Sequence, residues 1–122
     1  MFVVDDNQLI RDNIVKRLSK EGFYVKSFES GEGVLAALDH ETPDLVLLDL
    51  QMPVLNGGKT IEEMERRGLR IPVAILTAHQ ELINLSTVTY KGTISLVTKT
   101  IELADIVLVT RLAIAGRQSV IL

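Results

Sequence analysis

Apolar residues fall in two patterns along this chain: short unbroken runs and longer stretches at helical spacing. The central run is Leu45-Val46-Leu47-Leu48, with Leu50 after a single acid, Asp49, between the breakers Pro43 and Pro53. An unbroken run of that length predicts a strand buried on both faces, as in a parallel sheet. Asp49 stands at its carboxyl end. Phe2 to Val4 predicts a first strand ended by Asp5 and Asp6, and Tyr24 to Phe28 a short second one. Ile71 to Leu76 predicts a fourth strand ending at Thr77.

Between the runs the spacing is helical. Gln8 to Glu21 carries Ile10, Ile14 and Leu18 on one face, widened by Leu9 and Val15. Asp6 or Asn7 suits its N-cap, and Gly22 its end. Ser30 suits the cap of a helix through His40, with Val34, Leu35 and Leu38 inward. After Asn56-Gly57-Gly58 a third helix runs to about Arg67. Its Ile61 and Met64 face inward, and Glu62–Arg66 and Glu63–Arg67 are i,i+4 pairs.

Residues 86–97 read two ways. Their β-branched residues suggest a hairpin turning at Lys91-Gly92. The spacing of Leu82, Leu85 and Val88 suggests instead a helix over 82–91, followed by a fifth strand from Ile94 to Val97. Parallel strands need a crossover, which favours the helix. A last helix is expected from Ile101 to about Gly116. Leu103, Ile106, Val107 and Ile114 are assigned to the sheet, leaving an outer stripe of Ala104, Leu108, Leu112 and Ala115. Five strands alternating with five helices imply an α/β sheet covered by helices on both sides.

Composition narrows the function. The 122 residues, 47% hydrophobic, suffice for one domain with one sizeable core. A net charge of −3 gives no reason to expect direct nucleic-acid binding by this domain. With no cysteine there is no disulfide, thiol chemistry or cysteine-held metal. No apolar stretch is long enough to span a membrane, and the first residues lack the features of a signal peptide, so a cytoplasmic location is expected.

Asp5-Asp6, Asp49, Thr77 and Lys99 all stand at carboxyl ends of strands, where open parallel sheets bind ligands. Three carboxylates brought together repel, so a proton or a cation must neutralise them. Such a set of oxygen ligands suits Mg²⁺, which leaves coordination places for phosphate oxygens. A lysine and a hydroxyl beside it form a cradle for a phosphoryl group. Asp49, central among them, is placed to act as the nucleophile that becomes an acyl phosphate.

From residue 1 to about 117, the chain resembles the response regulator receiver domains (CheY-like) of two-component signalling. The resemblance rests on Asp5-Asp6, on Asp49 within Leu-Val-Leu-Leu-Asp-Leu-Gln-Met-Pro, and on Asn56-Gly57. It rests also on Ala74-Ile75-Leu76-Thr77-Ala78 and on Lys99. The spacing of Thr77 to Lys99 is similar to that in receivers of transcription factors. The resemblance implies a flavodoxin-like (βα)5 three-layer sandwich whose parallel five-stranded sheet has the order 2-1-3-4-5, an order for which receivers are a standard example. It implies that Asp49 takes phosphate from a histidine kinase or phosphotransfer protein. Asp5, Asp6, Asp49 and the backbone carbonyl of Gln51 would hold Mg²⁺, while Thr77 shifts toward the phosphate. Residues 118–122 are expected to be a tail or the start of a linker. A partner, or a second copy in a homodimer, is expected on Ala104, Leu108 and Leu112 of the last helix.

Two positions depart from the family pattern. Thr100 stands where receivers usually have proline, so the Lys99-Thr100 bond is expected to be trans. Leu96 replaces the usual switch aromatic. These departures motivate a rival reading, a degenerate receiver that docks a partner without regulated phosphorylation. His79 reads as a loop side chain at the rim of the site, His40 as solvated, and Tyr90 as a surface residue or a cover for the missing aromatic. A haloacid-dehalogenase-type phosphohydrolase is disfavoured because Gln51 occupies the place of its general acid. Flavin binding is disfavoured because Asp5-Asp6 would repel its phosphate.

Overall fold

The apolar runs do pair in parallel. In the computed structural model, which describes residues 1–49, 57–77, 90–92, 94–98 and 103–115, five strands form one sheet of order β2-β1-β3-β4-β5. The strands are β1 (Phe2–Val4), β2 (Lys26–Phe28), β3 (Val46–Asp49), β4 (Val73–Thr77) and β5 (Ile94–Thr98). Four helices are described: α1 (Gln8–Lys20), α2 (Gly31–Leu38), α3 (Gly57–Arg66) and α4 (Leu103–Ile114). The helix expected over 82–91 lies mostly outside the described residues. Tyr90 and Lys91, which it was to include, are irregular, and β5 runs parallel to β4.

Alternation along the strands sorts their side chains into two apolar layers. Val3, Leu45, Leu47, Ala74 and Leu76 meet Ile14 and Leu18 of α1 and Ile106, Val109 and Ala113 of α4. Phe2, Val4, Val46, Leu48, Val73 and Ile75 meet Val34, Leu35 and Leu38 of α2 and Ile61 and Met64 of α3. Both faces of β3 are therefore buried, which explains its lack of polar alternation. Phe2 meets Phe28 edge to face, with ring centroids 5.0 Å apart.

The caps are local. The Asn7 side chain accepts from the Ile10 N–H at 3.0 Å, so Asn7 rather than Asp6 caps α1. Ser30 accepts from the Gly33 N–H at 3.1 Å. Beyond α1 the chain turns at Gly22 with φ +94°, a conformation closed to most residues.

Several packing expectations are corrected. Ile10 and Leu9 are exposed, because the apolar layer reaches α1 only from Ile14 onward. Arg66 does not take Glu62: both Arg66 and Arg67 converge on Glu63, whose carboxyl they hold down at about 2 through their hydrogen bonds. Arg67 also donates to the Leu35 carbonyl at 2.9 Å and to Asp39 at 3.0 Å, tying the end of α2 to that of α3. Ile114, assigned to the sheet from sequence, is at the surface; Val109, Thr110 and Ala113 turn inward instead. Tyr90 is not a surface residue. Its hydroxyl donates to the Ile71 carbonyl and its ring packs on the α2/α3 layer, at the amino end of β4 and β5. That is the end of the sheet opposite Asp49. His40 is exposed, as expected.

Candidate functional site

Register brings the acids together. β1 pairs with β3 as Phe2↔Val46, Val3↔Leu47 and Val4↔Leu48. One step further along, Asp5 stands beside Asp49 on the neighbouring strand, and parallel strands lie about 4.8 Å apart. Both residues share the phase of Val3 and Leu47, the α1/α4 side of the sheet. Both are 2% exposed. Asp6, the next residue, is exposed. One carboxylate oxygen from each of Asp5, Asp6 and Asp49 lies within 4.8 Å of the others.

The turn that carries two of these acids is closely bonded. The Asp5 N–H donates to the Phe28 carbonyl at 3.1 Å, which prolongs the β1–β2 ladder by one residue. Asp5 Oδ1 accepts from the Asn7 N–H at 2.9 Å. The Asn7 side chain then caps α1 and its carbonyl accepts from the Arg11 N–H. The amino end of α1, with its positive partial charge, thus lies beside the acids.

Of the other residues singled out from sequence, Thr77 ends β4 and pairs with Thr98 of β5, so its backbone stands at the same carboxyl edge as Asp49. Gln51, Met52-Pro53, Asn56, His79, Lys99 and Thr100 lie outside the described residues, as do 118–122. Ala104 is within α4; on the same helix Leu108 is 56% exposed and Leu112 half-buried. Arg11 was not foreseen. Its Nη1 donates to the Asp5 carbonyl at 2.7 Å. The signal for it was its position one turn after the cap, because helical side chains lean toward the amino end.

Chemically, three converging carboxylates with one open to solvent form a hard oxygen donor set for a cation. Octahedral Mg²⁺ with bonds of 2.0–2.1 Å spans oxygens about 3 to 4 Å apart, and the three carboxylate oxygens, all within 4.8 Å of one another, lie at that scale. Among the described residues, no helix is long and apolar enough to cross a membrane.

Comparison with known proteins agrees with this arrangement. Residues 1–111 match the model of the response regulator receiver domain. The DNA-binding transcriptional regulator NtrC of Salmonella typhimurium is 32% identical over 118 residues, covering 97% of this chain and 25% of that protein. The transcriptional regulatory protein QseB of Escherichia coli O157:H7 is 39% identical over 82 residues, covering 67% of this chain and 37% of that one. The chain thus spans about a quarter of the length of its NtrC relatives. Among solved structures, the receiver domain of NtrX from Brucella abortus superposes with a TM-score of 0.80 at 26% identity, covering 93% of this chain and 97% of that one. The signal receiver domain of a histidine kinase from Syntrophus aciditrophicus shares the fold, with a TM-score of 0.82 at 19% identity over 94% and 89% of the two chains. With the acids of β1 and β3 gathered at the carboxyl edge of a 2-1-3-4-5 sheet, the chain belongs to the response regulator receiver domains, the phosphoacceptor modules of two-component signalling.

Proposed function

We propose that this domain is a phosphorylation switch in which Asp49 accepts a phosphoryl group from a histidine kinase or phosphotransfer protein. The observation that carries the reading is the convergence of Asp5, Asp6 and Asp49, with two of the three acids buried. Buried carboxylates in that proximity need a counter-charge. The residues that would hold Mg²⁺ are Asp5, Asp6 and Asp49 with the Gln51 backbone carbonyl. When bound, the ion offsets charge on the phosphoryl oxygens. A carboxylate oxygen of Asp49 attacks phosphorus in line, the P–N bond to the donor histidine breaks as the P–O bond forms, and the histidine recovers a proton. Thr77 donates a hydrogen bond to one phosphoryl oxygen and Lys99 pairs with another.

The consequence of transfer is read at the face made by residues 82–91, β5 and α4. There Ala104, Leu108 and Leu112 form the contact of a homodimer that tightens on phosphorylation; the 56% exposure of Leu108 supports this. The receiver unit runs over 1–117, with 118–122 a tail or the start of a linker. The domain works in the cytoplasm and does not itself touch nucleic acid; the DNA-binding regulators among its relatives support an output in transcription.

Treatment with a small phosphodonor and Mg²⁺ tests the reading. Intact mass should rise by one base-labile phosphoryl group, and Asp49→Asn should abolish the gain. Equal labelling of that variant would sink the assignment. Beryllofluoride with Mg²⁺ separates the switch from a phosphorylation-independent docking module. The switch shows coupled spectral changes in its amide resonances, whereas the docking module shows none.

A further inference from the structure

Both metal-site acids at the end of β1 hang from one peptide plane. The Asp5 carbonyl and the Asp6 N–H belong to the same rigid unit. Whatever holds that carbonyl sets the direction in which Asp6 leaves the strand. Arg11 holds it: Nη1 donates to the Asp5 carbonyl at 2.7 Å from one turn into α1. Two other contacts of the turn hold Asp5 at other atoms, its N–H through Phe28 and its Oδ1 through Asn7. Neither constrains the plane as directly as a bond to its oxygen.

From this geometry we infer that Arg11 is a positioning residue for the cation site, aiming the Asp5–Asp6 plane so that the two carboxylates meet Asp49. The inference rests on the proposed Mg²⁺ reading of that site. Two effects of the guanidinium oppose each other, and that makes its role decidable. As a positive charge near a divalent cation it repels the ion, so its removal tightens binding. As a tie on the backbone it organises the ligands, so its removal loosens binding. Outer partners of metal ligands typically contribute 10–100-fold to affinity. The positioning role therefore predicts a loss in Arg11→Met where a pure charge role predicts a gain.

The test is a Mg²⁺ titration of the chain followed by amide NMR, with urea unfolding of each metal-free variant alongside. Arg11→Met should bind Mg²⁺ about tenfold more weakly than wild type. Without metal, its Asp6 and Asn7 amide resonances should shift while those of Val73–Leu76 stay in place. Its urea midpoint should move little, which a merely structural residue would not combine with lost affinity. Should Arg11→Met fail to fold, Arg11→Gln, too short to reach the carbonyl, carries the same expectation. Equal or tighter Mg²⁺ binding by the variant overturns the role of Arg11 alone. No Mg²⁺ binding by the wild-type chain overturns the functional reading and this inference with it.

Discussion

Thr110 allows a sharp test of how the α1/α4 layer is built. It lies on the inward face of α4 at helical spacing from Ile106 and Ala113, is 0% exposed, and its hydroxyl has no hydrogen-bond partner. A buried hydroxyl without a partner costs about 1–3 kcal/mol. Valine has nearly the same shape and nearly the same helix propensity. Thr110→Val should therefore stabilise the chain by about 1 kcal/mol, the low end of that range. Unfolding entropy of about 2.1 cal/mol/K per residue over 122 residues converts 1 kcal/mol into a rise in Tm of roughly 4 °C. Thr110→Ser keeps the orphan hydroxyl and deletes a methyl, and should cost about 1 kcal/mol. Urea unfolding by circular dichroism measures all three chains, with an unchanged m-value as the check on a two-state comparison. A less stable valine variant beside a serine variant equal to wild type would refute the reasoning, because it would mean the hydroxyl is bonded and the methyl idle.

Glu63 is held near 2, against an ordinary 4.5, by hydrogen bonds from Arg66 and then Arg67; its contribution is present above pH 4.5 and lost as pH falls through about 2. Glu63→Gln should flatten that acid limb in a pH series of urea midpoints, and salt should weaken the difference. Burial, and then the charge of Glu65, pushes the Tyr90 phenol up to about 12 from 10.0, so its contribution is full below pH 10 and is lost between pH 10 and about 12. Tyr90→Phe should lose the part of the alkaline fall that belongs to this group, a result refuted by superimposable stability curves. Leu108→Glu with Leu112→Glu should leave a folded monomer whether or not Asp49 is phosphorylated; sedimentation showing the same mass for variant and wild type would rule the interface out.

The strands and the acids were legible because their information is local. An unbroken apolar run with both faces buried reads the same in sequence and structure, and the Asp5–Asp49 pairing follows once the order of β1 and β3 is known. The phase of α4 was not legible. A helix apolar nearly all round carries little periodicity to orient it, so Ile114 was assigned to the sheet where Val109, Thr110 and Ala113 in fact turn inward. Tyr90 failed for another reason. Its partner, Ile71, is 19 residues away, and only the parallel pairing of β4 with β5 brings them together. Arg66 chose i,i+3 over i,i+4 because Glu63 already sits between two guanidinium groups. Local spacing permits several charge partners, and the surrounding geometry selects one.

The strand order also sets the sequence in which the molecule comes into being. β1, the first of these five strands to be synthesised, ends between β2 and β3, so the sheet grows outward from its oldest member and, after β3, on one side only. All three acids belong to the first 49 residues. A nascent chain can therefore gather the acids of its site before Thr77, β5 and α4 have left the ribosome. Throughout that interval its newest strand presents an open edge, first that of β3 and then that of β4. β3, buried on both faces in the finished sheet, thus waits from Asp49 to Val73 for its second neighbour, and a pause in translation over that stretch leaves an open apolar edge for a chaperone to protect.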